Sequence, residues 1–127
     1  MSLPVLIVDK EPQLRSLIRA VLSKYGFPTL EAQDGVSALT MVKRLGGAVT
    51  LIVSSISMPG LDGAALARLV KVQFPNTPVL LMFSGATDSD DLLADAFLPK
   101  PFAPPVLADA VRRLHTKQIQ SENVQCD

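Results

Sequence analysis

Short runs of wholly apolar residues alternate along this chain with longer amphipathic segments. The first run, residues 3–8, is too short for a buried helix and has no polar alternation, so it predicts a strand that is covered on both faces. Such strands are typical of parallel sheets with helices on both sides. This pattern constrains the fold more than any other feature, and it predicts an α/β protein with a doubly wound sheet.

The amphipathic segments carry apolar residues at helical spacing. A first helix is predicted between Pro12 and Gly26, with the following inward stripe: Leu14, Leu17, Ile18, Val21, Leu22 and Tyr25. Asp34 precedes a second helix that reaches Leu45. A third spans residues 62–74, with Leu66, Leu69 and Val70 facing inward. The last begins near residue 103, and its inward stripe is Val106, Leu107, Ala110, Val111 and Leu114.

Five strands alternate with these helices, at residues 3–8, 29–32, 49–53, 79–83 and 96–98. Between the fourth and fifth strands there is space only for a brief helix, so the fourth helix is predicted to be shortened. The 127 residues are the usual size of one domain, which we place at residues 1–116, with a polar C-terminal tail at 117–127. The last helix is expected to fray from His115, which should be exposed.

The charge balance and the cysteine count exclude several classes of protein. Twelve basic residues balance twelve acidic ones, so no net field attracts nucleic acid or an anionic membrane. There is no signal peptide and no apolar run long enough to span a bilayer, and we therefore predict a cytoplasmic protein. A single cysteine, Cys126, supports neither a disulfide framework nor a thiolate metal site.

Polar residues follow the predicted strands at the ends where an open α/β sheet binds its ligands. These candidate site residues are Asp9 and Lys10 after the first strand, Ser55 after the third, Ser84 after the fourth and Lys100 after the fifth. Ser54 and Ser55 suggest a serine nucleophile, but they lack the G-x-S-x-G elbow of hydrolases. We therefore predict that the chain is not an enzyme.

The segments around these strand ends resemble the receiver domains of two-component response regulators. Residues 5–12 resemble the opening strand and acidic turn, and residues 55–63 resemble the phosphoacceptor loop, most specifically in Met-Pro-Gly-Leu-Asp-Gly. Residues 100–102 match the closing Lys-Pro-Phe motif, and Ser84 stands where the family has Thr or Ser. The resemblance covers essentially the whole chain, and it implies a flavodoxin-like fold and a cis peptide bond between Lys100 and Pro101.

The same resemblance implies a degenerate phosphorylation pocket. In this family a histidine kinase passes a phosphoryl group to an aspartate that lies beside Mg²⁺ and a lysine. Here Ser55 stands at the acceptor position and Lys10 at that of a metal-binding aspartate, while Asp9 is retained. A serine cannot form an acyl phosphate, and one carboxylate beside Lys10 and Lys100 leaves a charge of +1, which is unfavourable for Mg²⁺. We therefore expect no metal and no cofactor.

The family's switch aromatic corresponds to Phe97, and two interpretations of the retained residues stay open. In the first, Ser84, Phe97 and Lys100 are held in one fixed arrangement by Lys100, which pairs with Asp9 or bonds to Ser55. In the second, Phe97 is simply a core residue and Lys100 has no remaining role.

Three functional hypotheses follow from the sequence. The first is a phosphorylation-independent receiver-like module that binds a protein partner, such as a histidine kinase or another signalling protein. The alternative is a sensor of small anions or nucleotides that uses the vacated pocket, since Ser55, Ser84, Lys10 and Lys100 would form a positive site. The third is an active phosphotransfer domain with a non-standard acceptor. A homodimer is compatible with each hypothesis, and the sequence does not decide the oligomeric state.

Overall fold

A computed structural model describes residues 3–85 and 93–125 and contains a parallel five-stranded sheet with helices on both faces. The elements are β1 (Val5–Val8), α1 (Pro12–Lys24), β2 (Thr29–Ala32), α2 (Gly35–Arg44), β3 (Leu51–Ser55), α3 (Gly63–Gln73), β4 (Val79–Phe83), β5 (Ala96–Pro99) and α4 (Pro104–Gln125). The strand order is β2-β1-β3-β4-β5, with parallel pairing throughout. The predicted flavodoxin-like sheet is confirmed. The shortened helix predicted before β5 lies in segment 86–92, outside the described residues.

Each face of the sheet is covered by a different pair of helices. On one face α1 and α4 pack over side chains such as Ile7 and Met82. On the other face α2 and α3 pack over Leu6 and Leu81. Because both faces are buried, neighbouring strand positions are equally apolar, and this explains the unbroken apolar runs in the sequence.

The third strand begins and ends two residues later than predicted, at Leu51–Ser55 instead of residues 49–53. The prediction stopped at the first serine because it followed hydrophobicity alone. In the structure Ser54 and Ser55 are buried and stay in register with β4, where Ser55 pairs with Met82. Their hydroxyl groups are hydrogen-bonded, so burial leaves no polar group of theirs without a partner. Both serines are therefore part of the strand.

Two aspartates cap helices at the carboxyl edge of the sheet. Asp34 Oδ1 accepts a hydrogen bond from the backbone N–H of Ser37 at 2.8 Å, and Asp62 Oδ1 accepts one from the backbone N–H of Ala65 at 2.8 Å. Each side chain satisfies a backbone donor that has no partner within its helix. The helix starts predicted after Asp34 and at residue 62 are confirmed to within one residue.

The cap at Asp34 predicts a pH dependence of stability at acid pH. The Ser37 backbone N–H stabilises the carboxylate and lowers the pKa of Asp34 below the ordinary aspartate value. Its contribution is present above the unfolded pKa, about 3.9, and is lost as the pH falls through the lower folded pKa. Asp34→Asn keeps a capping oxygen but does not titrate. The free energy of unfolding, measured with urea, should therefore decrease less steeply between pH 5 and pH 2 in this variant than in the unchanged chain. Parallel pH dependences of the two proteins would contradict this role of Asp34.

Four apolar residues that were predicted to face the sheet are exposed instead: Leu17, Tyr25, Leu69 and Val106. Three of them adjoin a buried residue in sequence, so they lie about 100° around the helix from the direction of the core. Tyr25 follows the end of α1, and its ring lies 5.7 Å from the guanidinium carbon of Arg112. The periodicity found the helices correctly but overestimated how much of each helix the sheet covers.

The last helix extends beyond His115, the residue from which the sequence predicted fraying. The helix α4 continues to Gln125, since extending an existing helix costs far less than starting one. His115 is half-buried, not exposed, and its ring packs edge-on against Phe27 at 5.5 Å between centroids. The predicted boundary between residues 116 and 117 falls inside this helix. Within the described ranges, none of the helices has the length and apolarity needed to cross a membrane.

Candidate functional site

The site is organised around Asp9, a buried aspartate directly after β1. Its backbone N–H donates to Ala32 O, and its carbonyl accepts from Arg15 Nη1 at 2.6 Å. Its side-chain Oδ1 accepts from the backbone N–H of Glu11 at 2.7 Å. The backbone and one carboxylate oxygen of Asp9 are therefore fixed by local contacts, and Oδ2 points to the neighbouring strand ends.

Ser55 and Lys100 converge on that second oxygen. The Ser55 hydroxyl donates to Asp9 Oδ2. The ammonium of Lys100 donates to Ser55 Oγ at 2.7 Å and lies 3.4 Å from Asp9 Oδ2. The three side chains come from the ends of β1, β3 and β5, which parallel pairing places at one edge of the sheet. The two contacts proposed for Lys100 in the first interpretation, with Asp9 and with Ser55, are both present.

We call this Asp9–Ser55–Lys100 triad closed because its side chains are mostly buried and are bonded to one another. The Asp9 side chain is 3% exposed and that of Lys100 is 25% exposed, while Ser55 is buried. The charges of Asp9 and Lys100 cancel, and each Asp9 oxygen already accepts a hydrogen bond. Lys10, by contrast, is exposed and makes no ion pair or side-chain hydrogen bond within residues 3–85 and 93–125.

The described side chains at this edge supply few of the ligands that Mg²⁺ takes. This cation takes near-octahedral oxygen ligands and is held in proteins by one or two carboxylates. The Asp9 carboxylate is alone and is paired with an ammonium group. In the described part of the chain, no three His, Cys, Asp or Glu side chains lie close enough together to hold a metal ion.

The Met-Pro-Gly-Leu-Asp-Gly segment has a structural role that is independent of phosphate chemistry. Gly60 has a φ of +73°, a left-handed conformation that favours glycine. The Gly63 N–H donates to Ile56 O at 2.9 Å, and a Cβ at Gly63 would lie 2.1 Å from Ser55 O. Only glycine allows α3 to begin this close to the end of β3. The motif therefore sets the position of the Ser55 backbone.

Two further predicted site residues, Ser84 and Phe97, make no side-chain hydrogen bond with the triad within the described residues. Ser84 is exposed, and with Leu14, Leu17, Lys100, Pro101 and Phe102 it lines a surface cavity of about 490 Å³. Phe97 is 38% exposed, so the second interpretation, which made it a core residue, is wrong. Its neighbours Ala96 and Leu98 pack against the α1 and α4 side, which directs Phe97 to the α2 and α3 side.

Sequence reasoning missed Arg15, whose side chain holds the backbone of Asp9 in place. Arg15 donates to Asp9 O and, through Nε, to Glu31 Oε1 at 3.1 Å. Glu31 also accepts from Arg19 at 3.1 Å. A charged residue inside a strand of a covered sheet needs a partner, so Glu31 was the available signal for this network. The Lys100–Pro101 peptide bond is cis, as the family resemblance implied.

Comparison of the sequence with models of known protein families assigns the chain to a family. The model of the response regulator receiver domain matches residues 5–112, which is most of the chain. The chain belongs to the response regulator receiver domain family. Receiver domains interact with histidine kinases and other signalling partners, and they are in general signalling modules and not enzymes.

Relatives of this receiver domain occur in proteins of several architectures. The sensor kinase CckA of Brucella abortus is 37% identical over 92% of the chain, and the response regulator GtcR of Aneurinibacillus migulanus is 32% identical over 92%. The receiver domain of a signal transduction histidine kinase from Syntrophus aciditrophicus matches with a TM-score of 0.81 and 30% identity, covering 91% of this chain and 92% of that one.

The receiver domain spans only part of its curated relatives, namely 13% of CckA and 48% of GtcR. Another relative, CpxR of Klebsiella pneumoniae, is a transcriptional regulatory protein that is 31% identical over 95% of this chain. The expectation that the chain makes no direct contact with nucleic acid therefore stays a prediction.

Proposed function

We propose that this receiver domain takes part in two-component signalling through protein contacts and is not itself phosphorylated. The observation that carries the proposal is the closed Asp9–Ser55–Lys100 triad. The hydroxyl that stands at the acceptor position is buried and bonded on both sides, to Asp9 and to Lys100. An incoming phosphoryl donor would have to break these bonds and would find a hydroxyl where the family has a carboxylate.

The electrostatics support the same proposal. Phosphoryl transfer relies on metal ions and cations that neutralise charge on the transferred group. Here the one cation in the triad is already neutralised by Asp9, and the residue that stands at the position of the second metal ligand is the cation Lys10. Loss of Mg²⁺ binding is part of the proposal, as is a protein partner that recognises the domain by its shape.

The test is incubation with acetyl phosphate and Mg²⁺, followed by intact mass measurement and a beryllofluoride titration on the same sample. We expect no change in mass and no binding. Peptide mapping of any shifted species covers the hypothesis of a non-standard acceptor. One phosphoryl group on any residue would overturn the proposal.

The sensor hypothesis receives less support from the geometry. A small anion needs cations that are not already paired, whereas Lys100 is bonded to Asp9 and Ser55. Lys10 is exposed, but one exposed ammonium group attracts an anion weakly. We therefore expect millimolar phosphate, sulfate or ADP to leave the melting temperature unchanged. Since a ligand of the folded state must raise it, a rise that Lys10→Ala abolishes would revive this hypothesis.

A further inference from the structure

A groove between α2 and α3 exposes apolar side chains away from the triad. Val72 on α3 is 80% exposed and Leu69 is 41% exposed, while Val36 on α2 is 61% exposed. These β-branched and leucine side chains have a large apolar surface that water covers in the isolated chain. Apolar patches of this kind commonly mark contact sites for other proteins.

Helical geometry shows that these residues line one groove. In α3, Val70 points into the core. Lys71, 100° further round, forms an ion pair at 2.6 Å with Asp95, the residue before β5. Leu69 lies 100° in the other direction, on the side of α3 that contacts α2.

The same directions apply to α2, because its crossover connection has the same hand as that of α3 and both helices lie on one face of the sheet. The residue that follows a core-facing position therefore lies on the side of α2 toward α3. Val42 points into the core, so Lys43 lies on the side toward α3, and Val36 lies on that side about two turns earlier. Val36 therefore lines the groove near the start of α2. Leu69 and Val72 line it on α3, about 8 Å and about 12 Å further along the helix axis.

The charged side chains within α2 and α3 are all basic. Neither α2 nor α3 contains an aspartate or a glutamate within its bounds, apart from the caps that precede them. Lys43, Arg44 and Arg68 are exposed, and none of the three forms an ion pair within the residues that the structure describes. The groove thus combines an apolar centre with uncompensated positive charge, although the chain as a whole is neutral.

We infer that the α2–α3 groove binds an acidic amphipathic helix of a partner protein. A helix laid in a groove between two helices buries an apolar stripe, and its acidic flanks meet the basic rim. The eleven residues of α3 span about 16 Å, so three turns of the partner would cover Val36, Leu69 and Val72. A second copy of this chain fits poorly, because a two-fold contact would place Lys43, Arg44 and Arg68 against the same basic residues.

This surface does not include the triad, so the inference survives or fails independently of the proposed lack of phosphorylation. A receiver domain that takes up a phosphoryl group would overturn the proposed function and leave the groove untouched. Loss of the groove's binding would leave the mass measurement unchanged.

The test uses a synthetic peptide of about 14 residues, whose helix would be about 21 Å long. It carries one leucine stripe and glutamates elsewhere, and a control peptide has the same stripe with lysine in place of glutamate. Amide shifts of the ¹⁵N-labelled chain should change in α2 and α3 with the acidic peptide only. Binding should weaken as salt is raised, since the rim charges are screened.

Matched substitutions test the position of the contact. Val72→Glu should weaken binding by about tenfold or more, because the new carboxylate lies under the apolar stripe and repels the glutamates. Val106→Glu, at another exposed valine, on α4, should bind like the unchanged chain, and Arg68→Glu provides a second variant in the groove. Thermal unfolding verifies that each variant is folded.

Four results would overturn the inference: shifts that map outside α2 and α3, equal binding of both peptides, no shift at millimolar peptide, or Val72→Glu without effect. Light scattering and vesicles of mixed neutral and anionic lipid test the other occupants. A dimer that Val72→Glu dissociates would assign the groove to self-association. Vesicle binding that the same variant abolishes, with no response to the acidic peptide, would assign it to a lipid surface.

Discussion

The double variant Lys10→Asp, Ser55→Asp should accept one phosphoryl group from acetyl phosphate in the presence of Mg²⁺, whereas the unchanged chain should accept none. The two substitutions bring the carboxylates at the edge of the sheet to three, against the single ammonium of Lys100, and so change the local charge to −2. Three carboxylates beside each other bind a hard divalent cation, and an aspartate at position 55 can form the acyl phosphate that serine cannot.

Mg²⁺ should also become a stabilising ligand of this variant. Crowded carboxylates destabilise the fold without the metal, because Asp9 and position 55 are both buried. At a hundredfold excess over its Kd, Mg²⁺ should contribute about 2.7 kcal/mol, visible as a rise in melting temperature that the unchanged chain lacks.

The single variants are the matched controls for this experiment. Lys10→Asp has the metal ligand without an acceptor, and Ser55→Asp has the acceptor without the second ligand, so each should show at most slight phosphorylation. If the folded double variant gains neither a phosphoryl group nor a response to Mg²⁺, the two substitutions do not account for the proposed loss of phosphorylation.

Lys100→Met should lower the free energy of unfolding by about 2 kcal/mol, less than for a fully buried ion pair because the lysine is partly solvated. The substitution keeps the length of the side chain but removes the ammonium, which leaves the buried carboxylate of Asp9 without its cation. The hydrogen bonds from Ser55 and from the Glu11 backbone remain and limit the cost. Urea unfolding at neutral pH measures the effect.

Lys10→Met is the control, since Lys10 is an exposed lysine of the same neighbourhood without such a contact, and it should change stability by no more than about 0.5 kcal/mol. In Asp9→Asn, Lys100→Met both charges are absent, and the loss should be smaller than the sum of the two single losses. Equal stability of Lys100→Met and Lys10→Met would show that the ion pair contributes nothing to the fold.

Much of the candidate site was predictable because its residues directly follow apolar runs. Parallel pairing brings the carboxyl ends of all strands to one edge, so the strand ends that hold Asp9, Ser55 and Lys100 could be named as neighbours from the order of elements alone. The sequence could not decide which of them touch. Asp9 is 46 positions from Ser55 and 91 from Lys100 in the chain, and their contacts depend on sheet twist and side-chain rotamers.

Residues whose role depends on a distant partner were the ones that sequence reasoning missed. Arg15 donates to the Asp9 carbonyl and also pairs with Glu31, which β2 brings beside the first turns of α1. Leu69 and Val106 look like core residues by spacing, but each lies at the edge of the helix face that the sheet covers. Apolar periodicity gives the direction of the core to within about one residue, or 100° of rotation, and no better.

By itself the sequence determined the α/β class, the alternation of five strands with helices, the helix starts near Asp34 and Asp62 and the family, because these depend on local pattern and on short motifs. The tertiary structure alone decided that Ser55 belongs to β3, that Asp9, Ser55 and Lys100 form one closed triad, and that Val36, Leu69 and Val72 remain open to solvent. The physical reason is that burial and ion pairing depend on contacts between elements that are distant in sequence, so no single segment of the chain determines them.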